Sequence, residues 1–126
     1  MNTWSRLLTV ALSGALLTLA GCVGGPSYAG GPTEEEPHAL VIPGDDVTIW
    51  RVDDRDVPSR SSKAYVAPGR HRLRVRYNFP IDNESATPYD WEDLNLTFEA
   101  GRVYLIEREG EGQFGPYGVT VRVSPR

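Results

Sequence analysis

"RHRLRVRYNF", residues 70–79, decides the fold. Polar and apolar residues alternate along it almost without fault. In an extended chain successive side chains point to opposite faces, so the period is two. Arg70, Arg72, Arg74 and Arg76 then share one face, and His71, Leu73, Val75, Tyr77 and Phe79 the other. A helix would scatter both sets around its axis. The stretch is therefore a strand with a charged outer face and an apolar inner one.

The same period extends outward from it. "VTIWRV" (47–52), "SKAYVA" (62–67), "LNLTFEA" (94–100), "RVYLIER" (102–108) and "GVTVRV" (118–123) are short β-branched or aromatic runs. With a weaker "HALVI" (38–42) they make about seven strands separated by turn-forming residues. That pattern predicts an all-β fold, a small antiparallel β-sandwich over residues 38–126. No segment carries a convincing helical period, though 80–93 has room for a short helical turn. "PGRHRLRVR" (68–76) and "AGRVYLIER" (100–108) share Gly-Arg-x-x-Leu-x-x-Arg. A glycine turn feeding a strand accounts for this more simply than an internal duplication.

Bulk composition narrows the function. The chain has 126 residues, 40% hydrophobic and 24% charged, which suits one ordinary globular domain. A formal net charge of −4 argues against general affinity for nucleic acid. Lys63 is the only lysine, so the basic character is arginine. The single cysteine, Cys22, excludes an internal disulfide.

The first residues read as a processing segment. "MNTWSR" is polar with a positive Arg6, and "LLTVALSGALLTL" (7–19) is apolar and uncharged. That core is shorter than the roughly 20 residues a bilayer-spanning helix needs. Leu19-Ala20-Gly21-Cys22 follows, and it resembles the lipobox of bacterial lipoproteins. The resemblance implies a signal peptide over 1–21, a diacylglyceryl group on the Cys22 thiol, cleavage before Cys22 and acylation of its new amine, for instance by palmitate. An ordinary signal peptide with a chance cysteine, or a short membrane anchor, is the plainer alternative. Several acyl chains make a stable anchor where one holds only reversibly. Cleavage would remove Arg6 and no acid, leaving the mature chain one unit more negative.

"VGGPSYAGGPTEEEP" (23–37) is rich in Gly and Pro, has no hydrophobic period, and predicts a flexible tether from Cys22 to residue 37. Such a tether would average about 20 Å end to end. Glu34, Glu35 and Glu36 read as a solvated acidic run. Val23 stands where an aspartate resembling an inner-membrane retention signal would stand, which favours the outer membrane, facing the periplasm.

"VTIWRVDD" followed by "YVAPGRHRLRV" resembles the core of PEGA-type β-domains and of many small bacterial lipoproteins. Val52-Asp53 and Pro68-Gly69-Arg70-His71 carry the match. Asp54 replaces the usual glycine, and the Pro-Glu-Gly-Ala signature is absent. The resemblance spans about 47–76, implies an all-β surface module, and carries over no catalytic residues.

Candidate chemistry is sparse. Arg70, Arg72, Arg74 and Arg76 could bind an anionic surface such as a lipid A phosphate or a peptidoglycan carboxylate. The preferred reading is ordinary cross-strand pairing, through Glu99, Glu107 and Glu109. His71 falls on the apolar face and reads as a hydrogen-bonded histidine near the turn, with no catalytic partner evident. His38, at the tether junction, suggests nothing. Asp53, Asp54 and Asp56 lack the spacing of a calcium loop and read as a polar hairpin turn. "EGEGQFGPYG" (109–118) is not a phosphate loop and reads as a hairpin with Phe114 and Tyr117 near its tip. Tyr89 and Trp91, on the 80–93 connection, could stack on a sugar; more often such aromatics cover one end of a core.

Together these predict a membrane-anchored, non-catalytic envelope lipoprotein with no cofactor or metal. Its partners would be the membrane through Cys22 and an envelope protein, peptidoglycan or lipopolysaccharide. The alternative is a ligand-binding module for glycan or anionic envelope lipid, using Arg70, Arg72, Arg74, Arg76, Tyr89 and Trp91.

Overall fold

The computed structural model describes residues 25–79, 88–110 and 117–126. Cys22, the apolar 7–19 stretch, Phe114 and the 80–87 part of the long connection lie outside the described residues. Eight strands occur among the described residues: β1 (Ala39–Pro43), β2 (Val47–Val52), β3 (Arg55–Asp56), β4 (Ala64–Val66), β5 (Gly69–Asn78), β6 (Tyr89–Phe98), β7 (Arg102–Glu109) and β8 (Gly118–Pro125). They form two four-stranded sheets, β4-β1-β7-β8 and β3-β2-β5-β6. The fold is an all-β sandwich.

The founding stretch behaves as its alternation requires. Leu73, Val75 and Tyr77 on β5 are buried and its arginines face outward. Val47, Ile49 and Val52 from β2 meet them beneath the sheet, opposite Val41, Tyr104 and Ile106 of the other sheet, in one core. The Leu shared by the two Gly-Arg segments has different roles: Leu73 is fully buried and Leu105 only partly, on the opposite alternation from buried Tyr104 and Ile106. The two segments are therefore not register-equivalent, as expected of unrelated turn-and-strand pieces.

Four details differ from the sequence expectation. First, the sandwich is not wholly antiparallel, because β1 pairs with β7 in parallel, Leu40 opposite Val103 through Pro43 opposite Ile106. Second, the polar hairpin turn expected at "DDRD" forms, and it returns as a further short strand. Asp53 and Asp54 take φ of 49° and 67°, the left-handed pair of a type I′ hairpin, and Arg55–Asp56 returns as β3. Third, β6 begins at Tyr89, not at residue 94, so Tyr89 and Trp91 stand on a strand and not on a connection.

Fourth, residues 25–37 do not leave the domain as a tether. Tyr28 is 5% exposed and belongs to the core. Its hydroxyl accepts a hydrogen bond from Ala67 N at 3.2 Å, and Ser27 Oγ accepts one from Tyr65 N at 2.9 Å. Residues 28–31 make a turn, Gly31 N to Tyr28 O at 3.0 Å, with Gly30 at φ 79°. Arg55 donates to Ala29 O at 2.9 Å. A Cβ on Gly31 would lie 2.8 Å from the Tyr28 ring, so this glycine serves close approach and not flexibility. The physical reason is the aromatic: one buried tyrosine outweighs a Gly/Pro-rich surrounding that composition reads as loose.

Candidate functional site

The outer face of β3-β2-β5-β6 carries a row of edge-to-face aromatics interleaved with arginines, and with Arg60 beside it holds the cation–π contacts found among the described residues. Register builds it. Arg76 of β5 lies opposite Trp91 of β6, Asn78 opposite Tyr89, and Arg74 opposite Asp93. On β2 the register slips between Ile49 and Arg51, so that Trp50 is the extra residue of a β-bulge. The slip lets Ile49 and Val52, three apart, both point inward while Trp50 and Arg51 turn outward.

Trp50 and Trp91 meet edge to face at 4.9 Å, and Tyr89 meets Trp91 the same way at 6.1 Å. Arginines fill the gaps between rings. Arg60 lies 3.3 Å over the Trp50 ring and Arg76 5.0 Å from it. Arg76 also faces Tyr89, and Arg74 faces Trp91, each at 4.9 Å. Trp50 Nε1 donates to Thr48 Oγ1 at 2.9 Å, which fixes the indole. Such cation–π contacts are worth about 0.5–1 kcal/mol each when exposed. Trp50, Arg51, Arg74 and Trp91 line an open depression of about 540 Å³.

The arginine row divides in two. Arg72 pairs with Asp54 of the β2–β3 turn, and Arg74 with Asp93 at 3.3 Å. The acids are therefore aspartates of adjoining segments. Glu99 and Glu107 instead pair with Arg102 and Arg122, and Glu109 lies in the other sheet. Arg76 has no acid partner among the described residues and stacks on Trp50 and Tyr89; Arg60, likewise without one, covers the other side of Trp50. The Nε atoms of Arg60 and Arg76 are buried without a hydrogen-bond partner. Arg70 stands at the far end, beside the turn.

That far end is a separate cluster. Asp53, Asp54, Arg70, His71, Arg72 and Asn95 line a depression of about 310 Å³. Asp53 Oδ1 accepts from Arg72 N at 2.9 Å, and Oδ2 meets His71 Nδ1 at 2.5 Å. The two halves of the Val52-Asp53 and Pro68-Gly69-Arg70-His71 pattern thus touch, and His71 has the acidic neighbour that sequence spacing did not reveal. Its Nε2 is buried and unpartnered, so the pair holds the hairpin onto β5 and offers no base to solvent. Asp53, Asp54 and Asp56 point to three different partners, His71, Arg72 and Arg51. Among the described residues no set of three or more His, Cys, Asp or Glu could hold a metal ion.

The Arg72 N–H, and then His71, hold the Asp53 carboxyl below its usual range. A carboxylate depressed in the folded state stabilises the fold above its unfolded pKa of about 3.9, and that share is lost as pH falls through the lower folded value. Asp53→Asn, which tolerates the left-handed backbone, is expected to remove this acid-side share. Melting curves from pH 7 down to pH 2 check it: the wild-type advantage over the variant should shrink as Asp53 protonates.

Sequence reasoning found Arg74, Arg76, Tyr89 and Trp91 without seeing that they adjoin, and it missed Trp50 and Arg60. Plain alternation from Val47 and Ile49 turns Trp50 outward beside Thr48, and the inward spacing of three to Val52, a bulge signature, adds Arg51 to that face. Arg60, on a turn-rich connection, has no such signal. Comparison with known proteins gives no significant match to a family model, a curated protein or a solved structure.

Proposed function

We propose that the chain is an acyl-anchored lipoprotein of the bacterial envelope whose β-sandwich works by contact and not by catalysis. Support for the anchor is the apolar 7–19 core followed by Leu19-Ala20-Gly21-Cys22. Val23 favours the outer membrane, facing the periplasm. The observation that carries the contact function is the outward row of Trp50, Trp91 and Tyr89 interleaved with Arg60, Arg74 and Arg76.

Two contact functions compete. A module for envelope maintenance or protein interaction needs no special constellation. A ligand-binding module for glycan or anionic envelope lipid needs exposed aromatics beside cations, and Tyr89 is 54% exposed next to Arg76. That juxtaposition favours the ligand-binding module. Arginine supplies forked donors to phosphate or carboxylate, and the rings supply flat apolar area.

Mass spectrometry of the membrane-extracted protein tests the anchor. The expected species begins at Cys22 and carries acyl chains on its thiol and amine. Cys22→Ser is expected to abolish acylation and release from the signal. An intact Met1 in the wild type, or an unmodified Cys22 thiol, would overturn the proposal.

A further inference from the structure

We infer that the Trp50–Trp91–Tyr89 face, with Arg60 and Arg76, docks on the phosphate headgroups of the membrane in which the chain is anchored. The inference rests on the acylation of Cys22 proposed above and names the ligand of that same face.

Chain reach is the first argument. The chain is already held on the sandwich at Ser27, which accepts from Tyr65 N and lines a depression together with Pro58, Ser59 and Lys63. Cys22 precedes Ser27 by five residues, and five residues of extended chain span at most about 18 Å. An acylated Cys22 therefore holds this corner of the domain at the headgroup layer, where a tether to residue 37 would have let it roam.

Position is the second. Arg60 follows Ser59 directly, and its backbone C=O accepts from Ile49 N at 2.8 Å, which straps the connection along β2. Its guanidinium lies over Trp50. The aromatic–arginine face thus starts at the corner where the anchor leaves. Lys63, the only lysine, stands at the same exit.

Chemistry is the third. Tryptophan and tyrosine settle at the membrane–water interface because their rings are apolar with a polar tip. Arg51 and Arg74 pair with Asp56 and Asp93, so among the described residues the cations beside Trp50 without an acid partner are Arg60 and Arg76. Both lie over Trp50, and neither pairs with an acid among the described residues. A short link also raises the effective concentration of the bilayer to the millimolar range, so contacts too weak to hold a free protein suffice.

The protein carries its own reporter. Its tryptophans are Trp4, Trp50 and Trp91, and signal cleavage leaves the two on this face. Acylated full-length mature protein is reconstituted in vesicles of phosphatidylethanolamine and phosphatidylglycerol, floated, and read by tryptophan fluorescence. The expected result is a blue-shifted emission, quenched by brominated phosphatidylglycerol and protected from aqueous iodide. Arg60→Gln and Arg76→Gln are each expected to lower the docked-to-undocked ratio about fivefold, equivalent to about 1 kcal/mol per cation at an anionic surface. Circular dichroism of each variant must remain that of the folded wild type, and protection should weaken equally in phosphatidylcholine vesicles. Protein that floats while both tryptophans stay open to iodide overturns the docking and leaves the anchor standing. Protein that does not float overturns the anchor and the docking together. A blue shift produced by soluble peptidoglycan fragments without lipid overturns the choice of headgroup over glycan.

Discussion

Replacing Leu73 and Val75 together with alanine is expected to bring the domain to the edge of unfolding. Both are fully buried on β5, at the centre of the shared core. Leu→Ala in a core costs about 2–5 kcal/mol, because the cavity adds to the lost transfer energy. Two further methyl-sized groups removed at Val75 add about 1.6 kcal/mol on the scale of 0.8 per buried methylene. Domains of this size have only about 5–15 kcal/mol in total. Replacing Arg72 and Arg74 with glutamine is the matched control one residue away on the same strand. It removes two exposed ion pairs, with Asp54 and Asp93, each worth about 0–1 kcal/mol, and the stacking of Arg74 on Trp91. Thermal melts of the two double variants are expected to differ by more than about 10 °C, at roughly 4–8 °C per kcal/mol for such a domain. Equal losses would mean that the outer face, and not the alternation, holds β5 in place.

The contrast depends on a pattern that was readable, and its failures elsewhere have physical causes. Residues 70–79 are legible because the inner face is apolar and the outer one charged, so period and polarity agree. In β6 they disagree. Tyr89, Trp91 and Asp93 share the outward face while Asp90 and Glu92 alternate with them, opposite Tyr77 and Val75. Period two is present there, but its polarity is inverted, and a search for apolar residues on the inner face sees a polar connection. The inversion is also what puts Trp91 beside Arg76, so the segment that resisted reading is the one that builds the candidate site. Trp50 escaped for another reason: alternation from Val47 and Ile49 already turns it outward, but its partners come from other segments, Trp91 of β6 and Arg60 of a connection; what the bulge hides is Arg51, which the extra residue turns outward with it. The β1–β7 pairing had no local signal, since it joins segments some 60 residues apart, Leu40 with Val103. Asp53 and His71 were both visible as residues, yet their contact needed a left-handed turn at Asp53–Asp54 that no spacing rule supplies.

Tyr28→Ala is expected to be nearly as damaging as a central core substitution, although Tyr28 sits in a stretch whose composition predicts looseness. The ring is 5% exposed within the core cluster, and burial pushes its hydroxyl above the usual pKa. Truncating a buried aromatic to alanine costs about 3–5 kcal/mol. Tyr28→Phe isolates the polar part: Ala67 N, part-buried, loses its acceptor, and the loss of such a hydrogen bond costs about 0.5–1.5 kcal/mol. Gly31→Ala adds only a methyl group, yet its Cβ would stand 2.8–2.9 Å from three carbons of the Tyr28 ring, so either the ring or the 28–31 turn must move. A flexible tether would leave all three substitutions silent in a thermal melt. The decisive comparison is between chains starting at residue 25 and at residue 38. The shorter one discards Tyr28 and the Ser27 hydroxyl that accepts from Tyr65 N, and should melt well below the longer. Equal melting would return residues 25–37 to the solvent, let an acylated Cys22 hold the sandwich at a distance, and remove the reason for its aromatic–arginine face to meet the membrane.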